Sequence, residues 1–575
     1  MLLDWLSAPR TTRGIHVACD DGTWRFTPYA RLAVDARRIA RRLRAEGAGR
    51  GRVVSLVLDD PYRFISAFMG TLLAGAVPAP LAPPTALRGT ERYHAHLGRV
   101  FRAVRPELVL TEDDHAAVVR RGLDGADRTA ARLLLPGALA SPGTPDDPGA
   151  GTVAGEVLDR PDGELALIQF TSGSTGDPKG VRVTWGSLAA NAEACRRWLG
   201  WTDEDSFASW LPLHHDMGLI GGMVMPVATG TDVWLMRPHQ FLRSPLRWLE
   251  CLGRRGATLT TAPGFGYAYA ARRVRPEQLT GMDFSRWRGA VLGAERIDSI
   301  GVADFTALLG PHGFAPRALV GAYGLAETTV AASGVPAGRG SRLVRIDATA
   351  LRVGEPVAVR ERAVLGEHRV GGEGWLTGCG VTVHGSELTV VDASGAELPA
   401  GSFGEIRLRG RSLADGYQGA TGARVPFAPD GLRTGDAGFV EDGELYVVGR
   451  IGESVTVQGT SLYAEDVEAD LKDLREPGAP VGCAVAFGSA QGADHVVVFV
   501  EGRVTPDWLA AARARVSART PDTLRMTFLQ GSRGSISRTS SGKPRRRTMW
   551  ELLLRPGTGP RWTVACGSPP VPAPV

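Results

Sequence analysis

The stretch LALIQFTSGSTGDPKGV, residues 165–181, decides how the rest of the chain is interpreted. Its apolar first part, residues 165–170, has the length of a buried strand, and a loop of glycines, hydroxyls and one lysine follows directly. Glycine lets backbone N–H groups approach anionic oxygens, while hydroxyls and an ammonium add donors and charge. The loop lacks the GxxxxGK[ST] pattern of a Walker loop, and its length disfavours the alternative of a flexible Gly/Ser turn. The stretch therefore predicts a strand followed by a polyphosphate-binding loop.

Apolar periodicity divides the chain into a large first part and a smaller second part. Helical patterns such as residues 29–47 alternate with short apolar runs such as residues 53–58, which predicts α/β layers. Residues 136–163 are rich in Pro, Gly and Asp and predict a surface excursion before the strand. Apolar runs return at residues 483–500, after a predicted hinge at residues 450–453. We therefore predict an α/β fold with a large multi-sheet N-terminal body and a small mobile α+β C-terminal domain, divided as residues 1–449, residues 450–555 and a loose tail at residues 556–575.

The composition is that of an ordinary globular protein, with 43% hydrophobic and 22% charged residues. A net charge of +5 is diluted over 575 residues, so we expect no nucleic-acid partner. The six cysteines form no CxxC pair, which argues against a zinc site or a disulfide framework and favours a cytoplasmic location. No apolar run is long enough for a signal peptide or a membrane span.

Lysine is rare in this chain. Arginine supplies nearly all of the 66 basic residues, and the lysines are Lys179, Lys472 and Lys543. A compact ammonium on a flexible stem cannot be imitated by a planar guanidinium. Lys179 and Lys543 both lie in Gly-containing loops, which favours a chemical role for each. Lys472 has no such context and is assigned to the surface.

The loop TSGSTGDPKGV resembles the signature loop of the adenylate-forming superfamily, which contains acyl-CoA synthetases, nonribosomal adenylation domains, luciferases and fatty acyl-AMP ligases. The resemblance implies that the chain uses ATP and Mg²⁺ to convert a carboxylic acid into an acyl adenylate. It also implies that the loop binds ATP through Thr171, Ser172, Gly173, Ser174, Thr175, Gly176 and Lys179.

Other motifs of the superfamily follow in the expected order. GAYGLAETT, residues 321–329, resembles the adenine and magnesium motif, in which Glu327 would coordinate Mg²⁺ and Tyr323 would stack on adenine. By itself this motif could equally be a helix start with an ordinary acidic residue. RTGDAG, residues 433–438, places an Asp for the ribose hydroxyls, although an Asp after Thr-Gly is also a common turn residue. With the adenine-edge segment VLGAERI, the implied ATP-binding residues are Gly293, Ala294, Glu295, Tyr323, Gly324, Thr328, Asp436 and Arg450.

SRTSSGKPRRR, residues 537–547, resembles the C-terminal catalytic loop of the superfamily. The resemblance implies that Lys543 contacts the α-phosphate and the attacking carboxylate. A basic, Ser-rich disordered tail is the alternative, and the scarcity of lysine disfavours it. Since a carboxylic acid with a pKa of about 4 to 5 is already ionised at neutral pH, such an enzyme needs positioning and charge rather than proton transfer.

SWLPLHHDMGLIGGMVMPVATG, residues 209–230, closely resembles the acyl-site motif of the fatty acyl-AMP ligases. His215 would position the incoming carboxylate and not act as a base. The chain departs from the family at Gly452, a hinge position that is usually Asp or Lys, and at residues 262–267, which read APGFGY in place of APNFAY. The second departure predicts a wider or differently shaped acyl pocket. The implied acyl-pocket residues are His215, Gly218, Gly264, Phe265 and Tyr267.

Residues 331–380 match the position at which fatty acyl-AMP ligases carry an extra segment against the hinge, which disfavours the rotation that CoA-using enzymes make. The resemblance therefore implies that the phosphopantetheine thiol of an acyl carrier protein accepts the fatty acyl group. An acyl-CoA ligase is the first alternative, because it shares every nucleotide motif. HHDMGLIGG argues against an amino-acid adenylation domain, and intact Lys543, Glu327 and Asp436 argue against a degenerate, non-catalytic nucleotide-binding protein. The carrier-like triplet from Asp298 to Ile300 is interpreted as a coincidence, because a helix is expected there.

Overall fold

The structure is a computed structural model in which helices and strands alternate from the N-terminus onward, as the periodicity predicts. No helix in the described part of the chain has the length and apolar character needed to cross a bilayer. The described residues are 2–84, 90–126, 131–135, 160–171, 179–371, 374–419, 422–457, 460–472, 474, 480, 482–490, 493–517, 524–539, 543–554 and 562–567.

The elements are numbered in chain order. The helices are α1 (Tyr29–Ala45), α2 (Pro61–Ala74), α3 (Thr90–Val104), α4 (Ala116–Asp124), α5 (Trp185–Leu199), α6 (Met225–Thr229), α7 (Pro238–Arg243), α8 (Pro245–Gly253), α9 (Gly264–Arg273), α10 (Ser299–Leu309), α11 (Ala464–Lys472), α12 (Pro506–Ser517) and α13 (Arg546–Leu554). The strands are β1 (Gly14–Ala18), β2 (Trp24–Pro28), β3 (Val53–Val57), β4 (Val77–Pro80), β5 (Leu108–Thr111), β6 (Arg132–Leu134), β7 (Leu165–Thr171), β8 (Lys179–Thr184), β9 (Ser206–Ser209), β10 (Asp232–Leu235), β11 (Leu259–Ala262), β12 (Gly289–Leu292), β13 (Leu319–Tyr323), β14 (Ser333–Gly334), β15 (Arg342–Ile346), β16 (Val359–Val364), β17 (Trp375–Thr377), β18 (Val381–Thr382), β19 (Ser386–Val391), β20 (Gly404–Gly410), β21 (Tyr417–Gln418), β22 (Arg424–Val425), β23 (Leu432–Glu441), β24 (Glu444–Arg450), β25 (Ser454–Val457), β26 (Thr460–Tyr463), β27 (Gly482–Ala490), β28 (Ala493–Glu501), β29 (Arg525–Gly531) and β30 (Thr563–Gly567).

Helix α2 shows how local sequence signals set the elements. Asp60 precedes it and accepts a hydrogen bond from the Arg63 backbone N–H at 2.9 Å, and Pro61 occupies its first position. Gly75 ends the helix in the left-handed region, with φ of +83°. Within the helix, a Cβ on Gly70 would lie 2.6 Å from the Ile39 side chain, so this glycine allows α1 and α2 to pack closely. The α/β layers that the sequence predicts for this segment thus consist of the helix pair α1 and α2 and the parallel strands β3, β4 and β5.

The largest sheet positions the site. Within the described ranges it has nine strands in the order β18-β14-β13-β12-β11-β9-β10-β1-β2, and the neighbours from β13 to β1 run parallel. Parallel strands end at a common edge, where α/β proteins place their ligands. Strands β9, β11, β12 and β13 lead there directly into Trp210, Pro263, Gly293 and Gly324. Four of the recognised motifs therefore meet at one edge of one sheet.

Antiparallel sheets flank this edge. Strands β7 and β8 pair with each other and, through β8, with β21, so that Tyr417 lies opposite Val181. Strands β19, β20, β23 and β24 form a second antiparallel sheet. Strands β15, β16 and β17, from the segment of residues 331–380, form a third. The nucleotide motifs thus come from several sheets.

Residues 451–567, called here the C-terminal unit, form their own mixed sheet in the order β27-β28-β29-β30. The prediction of a loose tail is wrong for residues 562–567, because β30 pairs antiparallel with β29 and Trp562 packs on Phe499 with ring centroids 5.0 Å apart. The apolar residues of β30, Val564 to Cys566, provide too short a run to distinguish a strand from a tail. Tyr463 at the end of β26 is buried in a core that also contains Leu376 of β17 and Val448 of β24. The unit is therefore docked on the body and on the segment 331–380.

The triplet that resembles a carrier site has a structural explanation. Asp298 precedes α10 and accepts a hydrogen bond from the Gly301 backbone N–H at 3.0 Å. Ser299 is buried, and its hydroxyl donates to the Val370 carbonyl at 2.8 Å. The serine is therefore engaged within the fold, as the sequence interpretation expects.

Candidate active site

The loops after β12 and β13 approach each other closely through their backbones. A Cβ on Gly324 would lie 1.8 Å from the Val330 carbonyl oxygen, and one on Gly293 would lie 3.0 Å from the Ala322 oxygen. Ala294 has a φ of +67°, in the left-handed region that non-glycine residues rarely adopt. The two motifs thus form a tight backbone shelf, which fits their predicted contact with a flat nucleotide base.

The hairpin of β7 and β8 brings Lys179 to the acidic motif. Thr171 and Lys179 are paired across the hairpin, and the Lys179 ammonium lies 5.4 Å from the Tyr417 ring centroid. The Tyr417 hydroxyl donates to Glu327 Oε1 at 2.8 Å. Thr328, beside Glu327, is buried and its hydroxyl donates to a backbone carbonyl of the same turn at 3.0 Å. Tyr417 therefore links the basic and the acidic residue that the phosphate motifs supply.

Glu327 is the residue that could hold a metal ion. Burial raises the pKa of its carboxyl above the usual value, against the Tyr417 hydrogen bond and the Arg450 charge. No described side chain donates to the second oxygen, Oε2, and no described group of three His, Cys, Asp or Glu side chains forms a metal cage. A single carboxylate fits Mg²⁺, which is bound in proteins by one or two carboxylates together with substrate phosphates and water.

A second row of polar side chains crosses the strands β23 and β24. The Tyr323 hydroxyl donates to Asp436 Oδ2 at 2.7 Å, and Arg450 Nε lies 3.3 Å from Asp436 Oδ1. Asp436 and Arg450 are direct partners in the strand register. The Arg450 charge also acts on Glu327, so this row adjoins the first. The arrangement places a carboxylate, a phenol and a guanidinium where the sequence predicts the ribose.

His215 is oriented by its neighbour Asp216. His215 Nδ1 lies 2.6 Å from Asp216 Oδ1, which also accepts the Met217 backbone N–H at 2.8 Å. Burial alone would raise the pKa of Asp216, but the charge and hydrogen bond of His215 hold this pKa below its usual value. The carboxylate therefore fixes the imidazole, which supports a positioning role. Sequence reasoning missed Asp216, although it stands next to His215 in the same motif.

The residues after Asp216 form a π-helix, Met217–Val224. This rare form is frequent at functional sites. A Cβ on Gly218 would lie 2.3 Å from the Pro212 carbonyl oxygen. The glycine therefore lets the start of the helix pack directly against the turn that carries His215.

Replacing Gly218 by alanine is expected to destabilise the protein by about 2 kcal/mol or more, because the added methyl group meets backbone rather than a mobile side chain. The free energy of unfolding in urea would measure the effect. Gly221 of the same helix is the matched control, since its Cβ would meet only the Thr261 methyl at 3.9 Å. Equal losses in Gly218→Ala and Gly221→Ala would contradict the assignment.

The predicted acyl wall contains a packed aromatic group. Trp210 is buried and stacks on Phe241 at 4.0 Å, with its edge against Gly266, whose Cβ would lie 2.6 Å from the indole. The space at Gly266 is therefore filled by the Trp210 indole, so this glycine does not widen the predicted pocket, and a different pocket shape stays a prediction. The pair could not be found from sequence, because Trp210 and Gly266 follow different strands. A Cβ on Gly264 would make only ordinary contacts.

Two other predicted acyl residues differ in their surroundings. Phe265 is 38% exposed, and its backbone N–H donates to Glu295 Oε1 at 2.8 Å, so it lies at the surface beside the adenine-edge segment. Tyr267 is fully buried against Trp248 and Phe305, and its hydroxyl donates to the Val291 carbonyl at 3.2 Å. These contacts make Tyr267 a core residue behind the site rather than a wall of it.

Lys543 is hydrogen-bonded to Thr539 within the C-terminal unit. The Thr539 backbone N–H donates to the Lys543 carbonyl at 2.7 Å, and the Lys543 N–H donates to the Thr539 hydroxyl at 3.0 Å. Burial raises the pKa of the Glu295 carboxyl. The hydrogen bond from the Phe265 backbone and the charges of Lys472 and Lys543 partly offset this rise. The Lys543 charge also acts on Asp216. The Lys543 charge therefore acts on two carboxyls at the carboxyl edge of the large sheet, and the Lys472 charge, although Lys472 was assigned only to the surface, acts on one of them.

The structure brings together most of the predicted site residues, whose roles stay predictions. Residues Ser172, Gly173, Ser174, Thr175 and Gly176 lie outside the described residues. Tyr417 is a further candidate that sequence reasoning missed, since only the pairing of β21 with β8 brings it beside Lys179. Together the described groups provide positive charge, one free carboxylate oxygen and a polar row, as the binding of a nucleoside triphosphate requires.

Comparisons with known proteins agree with this arrangement. A family model described as AMP-binding enzyme matches residues 7–418. A putative acyl-CoA synthetase of Caulobacter vibrioides is 34% identical over 529 residues, which cover 90% of this chain and 88% of the relative. The medium-chain-fatty-acid–[acyl-carrier-protein] ligase JamA of Moorena producens is 29% identical, over 77% of this chain and 74% of its own length.

A solved structure from a study of fatty acyl-adenylate ligases from E. coli and L. pneumophila superposes with a TM-score of 0.82 at 27% identity, and the match covers 95% of this chain and 96% of that one. Both the family model and the curated relatives thus extend over most of the sequence. The chain belongs to the family of AMP-binding enzymes.

Proposed function

We propose that the protein is a fatty acyl-AMP ligase, which activates a fatty acid with ATP and transfers the acyl group to the phosphopantetheine thiol of an acyl carrier protein. The observation that supports the first half is that Tyr417 links Lys179 to Glu327 at one edge of the large sheet, where the Lys543 charge acts on Asp216. These groups come from a hairpin, a loop after a parallel strand and the C-terminal unit. A triphosphate is the ligand that needs all three.

In the first step, a carboxylate oxygen of the acid attacks the α-phosphorus of ATP, a new P–O bond forms, and the bond to pyrophosphate breaks. Two anions must approach, so the barrier is lowered by positioning and by positive charge. His215, held by Asp216, orients the acid, and Lys543 neutralises the charge that develops on the α-phosphate. Mg²⁺, held by Glu327 and the phosphates, would neutralise the charge on the departing pyrophosphate.

In the second step, a thiolate attacks the acyl carbon of the adenylate, a thioester forms, and AMP departs. The thiol's proton passes to solvent. We assign this step to a carrier protein because Tyr463 and the segment 331–380 share one core, which favours a C-terminal unit held against the body. The name of the Caulobacter relative supports CoA as the alternative acceptor, and the name of JamA supports the carrier.

The test combines the purified full chain with ATP, Mg²⁺ and a series of fatty acids, and detects the acyl adenylate by mass spectrometry. Formation of the adenylate with release of one pyrophosphate per acid is expected. CoA or a phosphopantetheinylated carrier protein is then added, and thioester formation with the carrier alone is expected. Rapid formation of acyl-CoA would replace the carrier assignment, and absence of any adenylate would overturn the proposed function.

Replacing Gly266 by alanine is expected to change the range of acids that are activated. The added methyl would overlap the Trp210 indole, which is confined by Phe241 on its face, so the indole must move within the aromatic group. One methylene more or less in a hydrophobic pocket changes the relative kcat/KM of two substrates by about 10- to 200-fold. The chain length of the preferred fatty acid should therefore shift by about two carbons or more. The kcat/KM for pyrophosphate release across a series of saturated acids measures it.

The control for this variant is Gly310→Ala. A Cβ there would have no heavy atom within 4 Å, and Gly310 is not among the predicted acyl-pocket residues, so the chain-length profile should stay as in the unaltered protein. An unchanged profile in Gly266→Ala, with a folded protein, would remove Trp210 from the acyl site.

A further inference from the structure

Arg296 of the body contacts both the C-terminal unit and the segment 331–380. It follows Glu295 in the adenine-edge segment of the body, and its Nη1 forms an ion pair with Asp466 in the first turn of α11. Its Nη2 donates to the Trp375 carbonyl of β17 at 3.2 Å, within the segment 331–380. The Arg296 side chain is 20% exposed and that of Asp466 is 6% exposed. This ion pair is therefore largely shielded from water, at the junction of the body, the segment and the C-terminal unit.

We propose that Arg296 is a positioning residue for adenylate formation, which orients the C-terminal unit through Asp466 and thereby places Lys543. The proposal rests on the function proposed above. It assigns the ion pair to the first half-reaction only, since transfer to a thiol does not need Lys543 at the α-phosphate.

A continuous set of contacts transmits the orientation of α11 to the catalytic loop. Asp466 and Glu468 lie on the same helix, α11. Glu468 receives two hydrogen bonds from the Arg546 guanidinium, at 2.8 and 2.9 Å. Arg546 stands three positions after Lys543 and also pairs with Glu453 of the hinge turn. A rotation of α11 therefore moves Lys543, Arg546 and the hinge together.

The burial of the pair explains why it would select one orientation. A charge that is shielded from water is costly unless a partner compensates it. With Arg296 removed, Asp466 would be held uncompensated in the docked orientation, so the C-terminal unit would favour orientations that expose Asp466 to water. A pair between two exposed side chains, such as Arg369 with Asp304, would have little such effect.

The experiment measures the two half-reactions separately in the full-length protein. Pyrophosphate release from ATP and a fatty acid reports the first. Transfer from a supplied, chemically prepared acyl adenylate to the thiol acceptor reports the second. In Arg296→Ala and in Asp466→Ala, kcat of the first half-reaction is expected to fall about tenfold, with KM for ATP within about twofold and the second half-reaction unchanged. The charge exchange Arg296→Asp with Asp466→Arg is expected to restore most of the rate, and Arg369→Ala should behave as the unaltered protein.

Equal loss in both half-reactions, or an unaltered first half-reaction, would overturn the proposal. If the exchanged variant does not fold, the rate of the first half-reaction in Arg296→Gln tests the proposal instead. The glutamine retains a donor for the Trp375 carbonyl but carries no charge. A tenfold fall confined to the first half-reaction in Arg296→Gln supports the proposal, and an unaltered rate refutes it. An unaltered protein that forms no adenylate with any acid would instead refute the proposed function.

Discussion

Replacing Lys543 by alanine is expected to lower the rate of pyrophosphate release by about 100- to 1,000-fold, the usual cost of removing one preorganised charge from a developing oxyanion. The Lys543 charge already acts on Asp216, beside the proposed carboxylate site. ATP should still bind, because Lys179, Tyr323 and Asp436 belong to the body and are unaltered. Pyrophosphate release under saturating ATP and calorimetric titration with ATP measure the two properties.

The control for Lys543→Ala is Arg547→Ala. Arg547 is four positions away, is exposed, and pairs with Glu551 at 3.1 Å on the same helix. The control removes a neighbouring positive charge without approaching the nucleotide. Similar rates in Lys543→Ala and in the unaltered protein would refute the catalytic assignment of the loop.

Replacing Glu327 by glutamine is expected to lower Mg²⁺-dependent pyrophosphate release at least about 100-fold while increasing the stability of the unliganded protein. The amide oxygen can still accept the hydrogen bond from the Tyr417 hydroxyl, which in the unaltered protein is donated to Glu327 Oε1 at 2.8 Å. The amide carries no charge, so it avoids the burial cost that raises the pKa of this carboxyl. Mg²⁺ loses its anionic ligand. The thermal midpoint without ligand and the rate with Mg²⁺ and ATP measure the two effects.

The pH dependence provides a second measurement on Glu327. Because its folded pKa is raised, the stability that the neutral carboxyl provides is present below the unfolded value, about 4.3, and is lost as the pH rises through the folded pKa. The advantage of Glu327→Gln should therefore grow over that interval. Glu361→Gln, at an exposed ion pair with Arg345, should show no such growth. A variant that retained Mg²⁺-dependent activity would exclude Glu327 as the metal ligand.

The sequence by itself determined the α/β class, the strand before the phosphate loop and the order of the nucleotide motifs. These features are local: apolar runs of strand length, glycines that permit close backbone approach, and a lysine retained in an arginine-rich chain are all visible within a few positions. The motif around Glu327 and the motif that contains Lys543 were identified in the same way. Contacts with distant strands were not visible, since pairing partners carry no local signal.

Only the tertiary structure decided how these motifs combine. The parallel register of β9, β11, β12 and β13 sets four loops at one edge, and the pairing of β21 with β8 adds Tyr417 to the site. Packing places the Trp210 indole in the space beside Gly266. The docking of the C-terminal unit joins Arg296 to Asp466 and brings the Lys543 charge close enough to act on Asp216 of the body. Each of these contacts joins residues far apart in the chain, so burial and sheet register, rather than local sequence, determine them.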